Sequence, residues 1–395
     1  MTKLIEITGK ALSGEWGTDD EVGNGIPVLR TTNFTNEGVV NYDNVVTRTI
    51  TKKNIAEKYL RTGDIIIEKS GGSDKQPVGR VIYFDGSENT FLFNNFTGLL
   101  RVKDQNVWVP KYVFYSLFAN YRKGGTRPFE NKTTGLHNLK TDDYVSRYVV
   151  NDATYNDQIN ICSNLDRIWR IIQLKKEELE KLDELIKARF VEMFGDAVDN
   201  PMGWPTKELQ ELVTDDCTIS YGIVQTGDDQ DFGVPVFRPV DIVNHTPVRG
   251  ELKKTTEEIS NKYKRTILKG RELLITVRAN IADTCIVGEE FTGCNVGRGI
   301  VPIRTKEDEI TLEFLKHQLD SKHLNDNIKS KAKGITLIQL NMEDLRTVIL
   351  MVPPIERQKA FMEFAKQVDK SKAAVQRSLD ESQLLFDSLM QKYFG

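Results

Sequence analysis

The 395-residue chain predicts an α+β protein written twice. It has two tandem domains, each a mixed or antiparallel sheet with helices, separated by two long helices that pair as an antiparallel, coiled-coil-like unit. Three observations carry this. Gly25-Ile-Pro-Val-Leu-Arg30 recurs as Gly233-Val-Pro-Val-Phe-Arg238. Leu60-Arg-Thr-Gly-Asp64-Ile-Ile-Ile67 is echoed by Leu268-Lys-Gly-Arg-Glu272-Leu-Leu-Ile275, at the same spacing of 208 residues. Leu179, Leu185, Phe194 and Gly195 then match Leu379, Leu385, Phe394 and Gly395 at a spacing of 200. A period near half the chain is too long for a solenoid or a propeller blade and indicates a duplicated domain-plus-helix unit. The expected segments are 1–156, 157–195, 196–354 and 355–395.

Within each copy, short β-branched runs read as strands: Ile26–Arg30, Asp64–Glu68, Arg80–Phe84, Phe96–Arg101 and Gly299–Arg304. Turn signals such as Gly71-Gly72 and Asp85-Gly86 separate them. Shorter helices are expected over 110–121 and 311–329. From about Asp157 to Phe194, apolar residues recur three or four apart: Ile161, Leu165, Ile168, Ile171, Ile172, Leu179, Leu182, Leu185, Ile186, Phe190 and Met193. No Gly or Pro interrupts this single stripe, Lys175 to Glu180 supply polar positions, and Gly195 is the stop signal. The second copy runs from about Ile355 to Tyr393, with Phe361, Phe364, Ala365, Val368, Val375, Leu379, Leu385, Phe386 and Leu389. A helix of nearly 40 residues spans about 55–60 Å. That exceeds the width of one domain, so its stripe is expected to pack on its duplicate.

Composition bounds the function. Charged residues make up 28% and hydrophobic residues 39%, an ordinary globular balance. No apolar run is long enough for a membrane span, and the first residues lack a signal-peptide pattern, so a cytoplasmic protein is expected. Cys162, Cys217, Cys285 and Cys294 form no C-x-x-C pair and are expected to be free thiols. His137, His245, His317 and His323 show no ligand pattern, so no metal site is expected. The net charge of −3 does not favour nucleic acid, but a DNA binder needs only a local basic surface. No phosphate loop G-x-x-x-x-G-K-[ST], nucleophile elbow G-x-S-x-G or Asn/Asp-Pro-Pro-aromatic base-holding loop occurs, so no catalytic residue is assigned.

Val352-Pro353-Pro354-Ile355-Glu-Arg-Gln358 leads directly into the second long helix. Leu273-Leu-Ile-Thr-Val-Arg278, Asn295-Val-Gly-Arg-Gly299-Ile and Gly334-Ile-Thr-Leu-Ile-Gln-Leu-Asn-Met-Glu-Asp-Leu345 precede it. In this order, over the layout domain, helix, domain, helix, the chain resembles the specificity subunits of type I restriction-modification systems. The first copy departs from the pattern: its exit, Val149 to Gln158, has no Pro-Pro, and Asn95-Phe-Thr-Gly98-Leu has no arginine where the second copy has one.

The resemblance implies two target-recognition domains, at 1–156 and 196–354, joined by spacer helices. It implies a non-catalytic subunit that binds double-stranded DNA at a two-part target. Its partners would be two methyltransferase subunits and two restriction-translocation subunits. The complex would methylate adenine with S-adenosylmethionine and cleave with ATP and Mg, those cofactors lying in the partners and none in this chain. Three other readings stay open: the specificity subunit of a related bifunctional restriction enzyme, a self-contained enzyme, and a coiled-coil scaffold that does not touch DNA.

DNA contacts are expected in loops combining small residues, cations and amides. The candidates in the first domain are Lys69, Ser70, Gly71, Gly72, Lys75, Gln76 and Arg80, then Lys123, Arg127, Asn131 and Lys132. In the second they are Arg278, Asn280, Asn295, Arg298, Lys329, Lys331 and Lys333. The helices are expected to act as a ruler between half-sites.

Overall fold

The computed structural model describes residues 1–133, 136–243, 246–247, 252–334 and 338–395. Thr134, His245 and positions 335–337 of the run after Gly334 lie outside the described residues. The chain forms two compact units, one of residues 1–176 with 377–395 and one of residues 177–376.

In the first unit the fully buried run Ile65–Glu68 lies inside an antiparallel sheet, between Thr97–Leu100 and Val81–Tyr83, with Leu12–Ser13 at the edge. Strand Ile26–Leu29 pairs antiparallel with Val46–Thr49 and parallel with Leu92–Phe93, which makes that sheet mixed. The helix Pro110–Arg122 starts on a proline, whose missing N–H and fixed φ suit a first turn, and buries Tyr112, Val113 and Leu117.

The second unit repeats this plan. Glu272–Thr276 runs antiparallel between Thr284–Val287 and Ile300–Ile303. Val234–Phe237 pairs antiparallel with Lys253–Thr255 and parallel with Asn295–Val296. The single helix expected over 311–329 is two, Leu312–Leu319 and Lys322–Ser330. Ser321 takes an extended conformation between them and its hydroxyl donates to Gln318 O at 2.7 Å. Serine competes for the backbone in this way and so favours caps over helix interiors.

The duplication reaches individual hydrogen bonds. The buried Asp64 carboxylate accepts the Arg61 N–H at 2.8 Å and pairs with Arg101 at 2.6 and 2.7 Å. The buried Glu272 carboxylate accepts the Lys269 N–H at 2.6 Å and pairs with Arg304 at 2.9 Å. A buried carboxylate is tolerated only when paired and hydrogen-bonded, so each copy keeps its arginine.

The long helices are Tyr155–Phe194 and Ile355–Phe394. At 1.5 Å per residue each is about 60 Å long. Thr154 accepts the Asp157 N–H at 3.2 Å, so a threonine cap stands where the second copy has Pro354. The side chain of Gln158 donates to Val107 O and Ala153 O, both at 3.0 Å, and accepts the Val109 N–H at 2.8 Å. Gln358 repeats all three bonds, donating to Glu309 O and Pro353 O at 2.9 and 2.8 Å and accepting the Thr311 N–H at 3.0 Å.

The helices run antiparallel. In the first unit Cys162, Leu165 and Ile172 share a core with Phe386 and Met390, and Trp169 packs on Phe386 with ring centroids 5.8 Å apart. In the second unit Ile186, Phe190 and Phe194 share a core with Phe361, Ala365 and Val368. Ile171, Leu185 and Leu385, read from sequence as part of the stripes, are instead exposed. Each is next to a buried neighbour (Ile172, Ile186, Phe386), and adjacent helical residues point about 100° apart, so only one of the two can face the seam. All four cysteines are buried free thiols. Among the described residues no helix is long and apolar enough to cross a membrane.

Candidate nucleic-acid interface

In the first unit the loop from Lys69 to Arg80 leaves the buried strand Ile65–Glu68 and returns to Val81–Tyr83. Its base is pinned. Gly72 is buried so tightly that a Cβ there would lie 2.5 Å from Val78 N. Val78 N–H donates to Glu130 Oε1 at 3.0 Å, and Glu130 Oε2 sits 2.9 Å from Nδ1 of the buried His137. The tip is closed by Ser73 N–H donating to Gln76 O at 2.7 Å, which leaves Lys75 exposed. Gln76 donates to Asn36 at 2.9 Å and to Tyr121 at 3.3 Å, and Arg127 reaches the carbonyl of Asp74 at 3.4 Å.

Lys69 and Ser70 open onto a cleft of about 490 Å³ that Ser13, Asn95, Phe96 and Asn138 also line. Lys69 Nζ donates to Ser13 Oγ at 3.0 Å, and burial holds its pKa below the ordinary lysine value. Phe96 is 53% exposed, an aromatic face beside a cation and amides. That combination suits stacking on a base and hydrogen bonding to its edge. Asn131 lies opposite Asn138 on the strand Glu130–Thr133, which also carries Lys132. Lys123 is exposed and its ammonium lies 3.4 Å from the carbonyl of Phe394.

In the second unit the Arg278 guanidinium is held by Gln339 Oε1 at 2.5 and 3.0 Å. Arg298 lies over the ring of Tyr221, 5.8 Å from its centroid, and the Tyr221 hydroxyl reaches Leu340 O at 3.5 Å. Lys333 exchanges backbone hydrogen bonds with Gln339 at 2.9 and 3.0 Å. Arg278, Arg298 and Lys333 therefore converge around Gln339 and its neighbour Leu340. Lys329 is exposed in the last turn of its helix and Lys331 is half-buried just beyond it. Asn280 is exposed on a tight turn in which Ala279 and Ala282 both have positive φ, +58° and +63°. Non-glycine residues adopt that region only where surrounding structure imposes it.

Two candidates are corrected. Asn295 is fully buried: its amide donates to Ser260 Oγ at 3.0 Å and its carbonyl accepts the Thr266 hydroxyl at 2.7 Å. It ties strand to helix and cannot reach a base edge. Arg80 is committed to the fold, bonded to Glu68 at 3.0 and 3.4 Å and to the carbonyls of Phe34 and Thr31 at 2.9 and 3.1 Å. The motif match between Asn295 and Asn95 is also displaced. Parallel pairing sets Leu29 opposite Phe93 and Phe237 opposite Val296, so Asn95 stands where the second copy has Arg298.

Ser13, Asn95, Phe96, Asn138, Tyr221 and Gln339 are not among the residues expected from sequence to contact DNA. Gln339 falls inside the quoted run Gly334–Leu345 and Asn95 and Phe96 inside the quoted run Asn95–Leu99, while Ser13, Asn138 and Tyr221 carry no local signal. Asp196, Asp199 and His323, where no metal site was expected, bring one possible ligand atom each within 4.8 Å of one another. Asp196 Oδ1 accepts the N–H groups of Val198 and Asp199 at 2.9 and 3.1 Å, and Oδ2 lies 2.7 Å from His323 Nδ1. A turn in which Asp196 accepts backbone N–H groups and contacts the exposed His323 ring accounts for the group.

Residues 201–381 match the model of the type I restriction modification DNA specificity domain. The type I restriction enzyme EcoBI specificity subunit of Escherichia coli is 26% identical over 220 residues, 55% of this chain and 46% of that protein. The matched region thus spans about half the length of that relative. A putative type I restriction enzyme MjaX specificity subunit of Methanocaldococcus jannaschii is 22% identical over 353 residues, 81% of this chain and 75% of that protein. The fold is shared with a chain from a structural study of complex assembly and conformational transition in the type I R-M system. That likeness has a TM-score of 0.58 at 18% identity and covers 100% of this chain and 96% of the other.

Proposed function

This chain is a member of the type I restriction-modification specificity family, and from that premise we propose that it reads a two-part DNA target on behalf of catalytic partners. The observation that carries the reading is the duplicated scaffold. One of its copies matches a DNA specificity domain, and each copy gathers cations, amides and an aromatic ring.

In this reading the segments 1–156 and 196–354 are the two recognition domains, and each takes one half-site. Lys75, Lys123, Arg127, Lys329 and Lys333 neutralise phosphates, which fixes orientation without reading sequence. The long helices form the connector that sets the spacing between half-sites, with the buried amides of Gln158 and Gln358 fixing each helix to the domain it leaves. The chain itself catalyses nothing. Adenine methylation would be done by methyltransferase subunits holding S-adenosylmethionine, and cleavage by restriction-translocation subunits using ATP and Mg. Such an assembly works in the cytoplasm, where the DNA is.

The test is adenine-methylation sequencing of a host that expresses this chain with its neighbouring methyltransferase, against the methyltransferase alone. A new methylated motif of two short sequences around a fixed unspecified spacer is expected. Unchanged methylation, together with a purified complex that fails to bind DNA, would leave only a scaffold.

A further inference from the structure

The two units build one backbone framework and hang different side chains on it. Leu139 N–H donates to Lys69 O at 2.8 Å, and Leu340 N–H to Val277 O at 2.9 Å. Lys69 N–H donates to Phe96 O, and Val277 N–H to Gly299 O, both at 2.8 Å. Asn94 N–H donates to Leu29 O at 2.9 Å, and Gly297 N–H to Phe237 O at 2.8 Å. These bonds superimpose three positions by chemistry alone. Ser70 corresponds to Arg278, Asn138 to Gln339 and Asn95 to Arg298. The cross-strand pairing agrees, since Ser70 sits opposite Asn138 and Arg278 opposite Gln339.

Each position is the immediate chain neighbour of a residue held by one of these backbone bonds. In the first unit all three line the same cleft. In the second, Gln339 holds Arg278, and the aromatic ring under Arg298 is hydrogen-bonded to the residue after Gln339. Other parts of the scaffold are kept: each of the clamps at Asp64 and Glu272 holds a backbone N–H and an arginine, and the joints at Gln158 and Gln358 make the same three bonds in both copies.

We propose that these three positions determine specificity in each unit, and that their contents set the two half-sites apart. This rests on the reading that the chain binds DNA. Arginine presents two parallel N–H donors that match the O6 and N7 acceptors of guanine, and asparagine or glutamine pairs with N6 and N7 of adenine. The second unit, with two arginines steadied by an amide and a tyrosine ring, takes a half-site containing guanine. The first unit, with two asparagines and a serine and no arginine at these positions, reads adenine. The Gly-rich stretch Gly71–Gly79 has no counterpart of equal length, because the same frame closes in the second unit from Thr276 N–H to Asp283 O at 2.9 Å. Its lysine therefore serves affinity and not the base code.

The complex of the full chain with its cognate methyltransferase would be purified and used to select from a pool of random-sequence DNA duplexes, and the bound fraction sequenced. Wild type should return two half-sites at fixed spacing, one with guanine. Arg278→Ala and Arg298→Ala should each relax a guanine position in that half by roughly ten- to a hundredfold and leave the other half intact. Asn95→Ala and Asn138→Ala should relax adenine positions in the other half. Arg278→Lys and Gln339→Asn, which keep polarity, should relax the same guanine position as Arg278→Ala without a change in Tm. An unchanged motif in all these variants, or uniformly weaker binding with the motif unchanged, would overturn the assignment while leaving the DNA-reading function standing. A wild-type complex that selects no two-part motif would remove that function itself.

Discussion

At the scale of single residues, burial decides which polar side chains serve the fold and which face outward. Asn295 and Arg80 look like ideal DNA contacts in the sequence, in glycine-rich stretches beside other polar groups. Their partners, Ser260, Thr266 and Glu68, are 12 to 35 residues away, and only the folded chain reveals that their hydrogen bonds are already made. Arg278, Arg298, Lys75 and Lys333 were legible because glycine, cation and turn chemistry are local signals. Tyr221 and Asn138 were not, because neither has a distinctive neighbour. His317 supports a prediction of its own. It packs edge-on against Phe361, and burial, with Lys316 alongside, lowers its pKa to about 4 from an ordinary 6.5. The folded state therefore resists protonation that the unfolded chain accepts. Stability should be complete above pH 6.5 and fall as pH drops towards 4, by about 3 kcal/mol at most. Urea denaturation of wild type and His317→Leu across this range should show the slope in wild type and a flatter profile in the variant.

At the scale of elements, the long helices were legible because their apolar spacing persists over ten turns without Gly or Pro. Their edges were less so. The first copy's missing Pro-Pro looked like a departure, but Thr154 supplies the cap by another route. Periodicity also admitted Ile171 and Leu185, which a pattern of adjacent apolar pairs cannot separate from Ile172 and Ile186. The helix from 311 to 329 was read as one because Ser321 is an ordinary interior residue by pattern and a cap only by conformation. The joints at Gln158 and Gln358 make a quantitative expectation. Each amide makes three bonds with backbone groups, and truncation leaves those groups unsatisfied in a dry site. Gln158→Ala and Gln358→Ala should each cost about 1–3 kcal/mol, seen as a lower denaturation midpoint. Glutamate at either position should be worse, since an oxygen replaces a donor that faces carbonyls.

At the scale of the whole molecule, the repeat was the most legible feature, because two segments at one spacing fix both copies and their order. Where the compact units divide was not legible, since a helix pattern carries no mark at Lys176 or Gln376. If the helices set the spacing between half-sites, matched insertions of one turn in both should lengthen the unspecified spacer by roughly two base pairs, about 6 Å. Methylome sequencing of that variant should return both half-sites unchanged. An unaltered spacer would sink the ruler.

The way the first unit is assembled also bears on how the protein is made. Its core needs Phe386 and Met390, which leave the ribosome only after the whole second unit has done so. The second unit is one uninterrupted stretch and can fold as soon as Gln376 has emerged. The first unit, although synthesised first, must hold Leu165, Ile172 and Trp169 without their partners for about 10–40 s, at ~5–20 residues per second. The usual order of N-terminal domain first is therefore reversed at its final step. A nascent chain from which Gln376 has just emerged would carry a finished second unit and an apolar helix face of the first that chaperones can recognise.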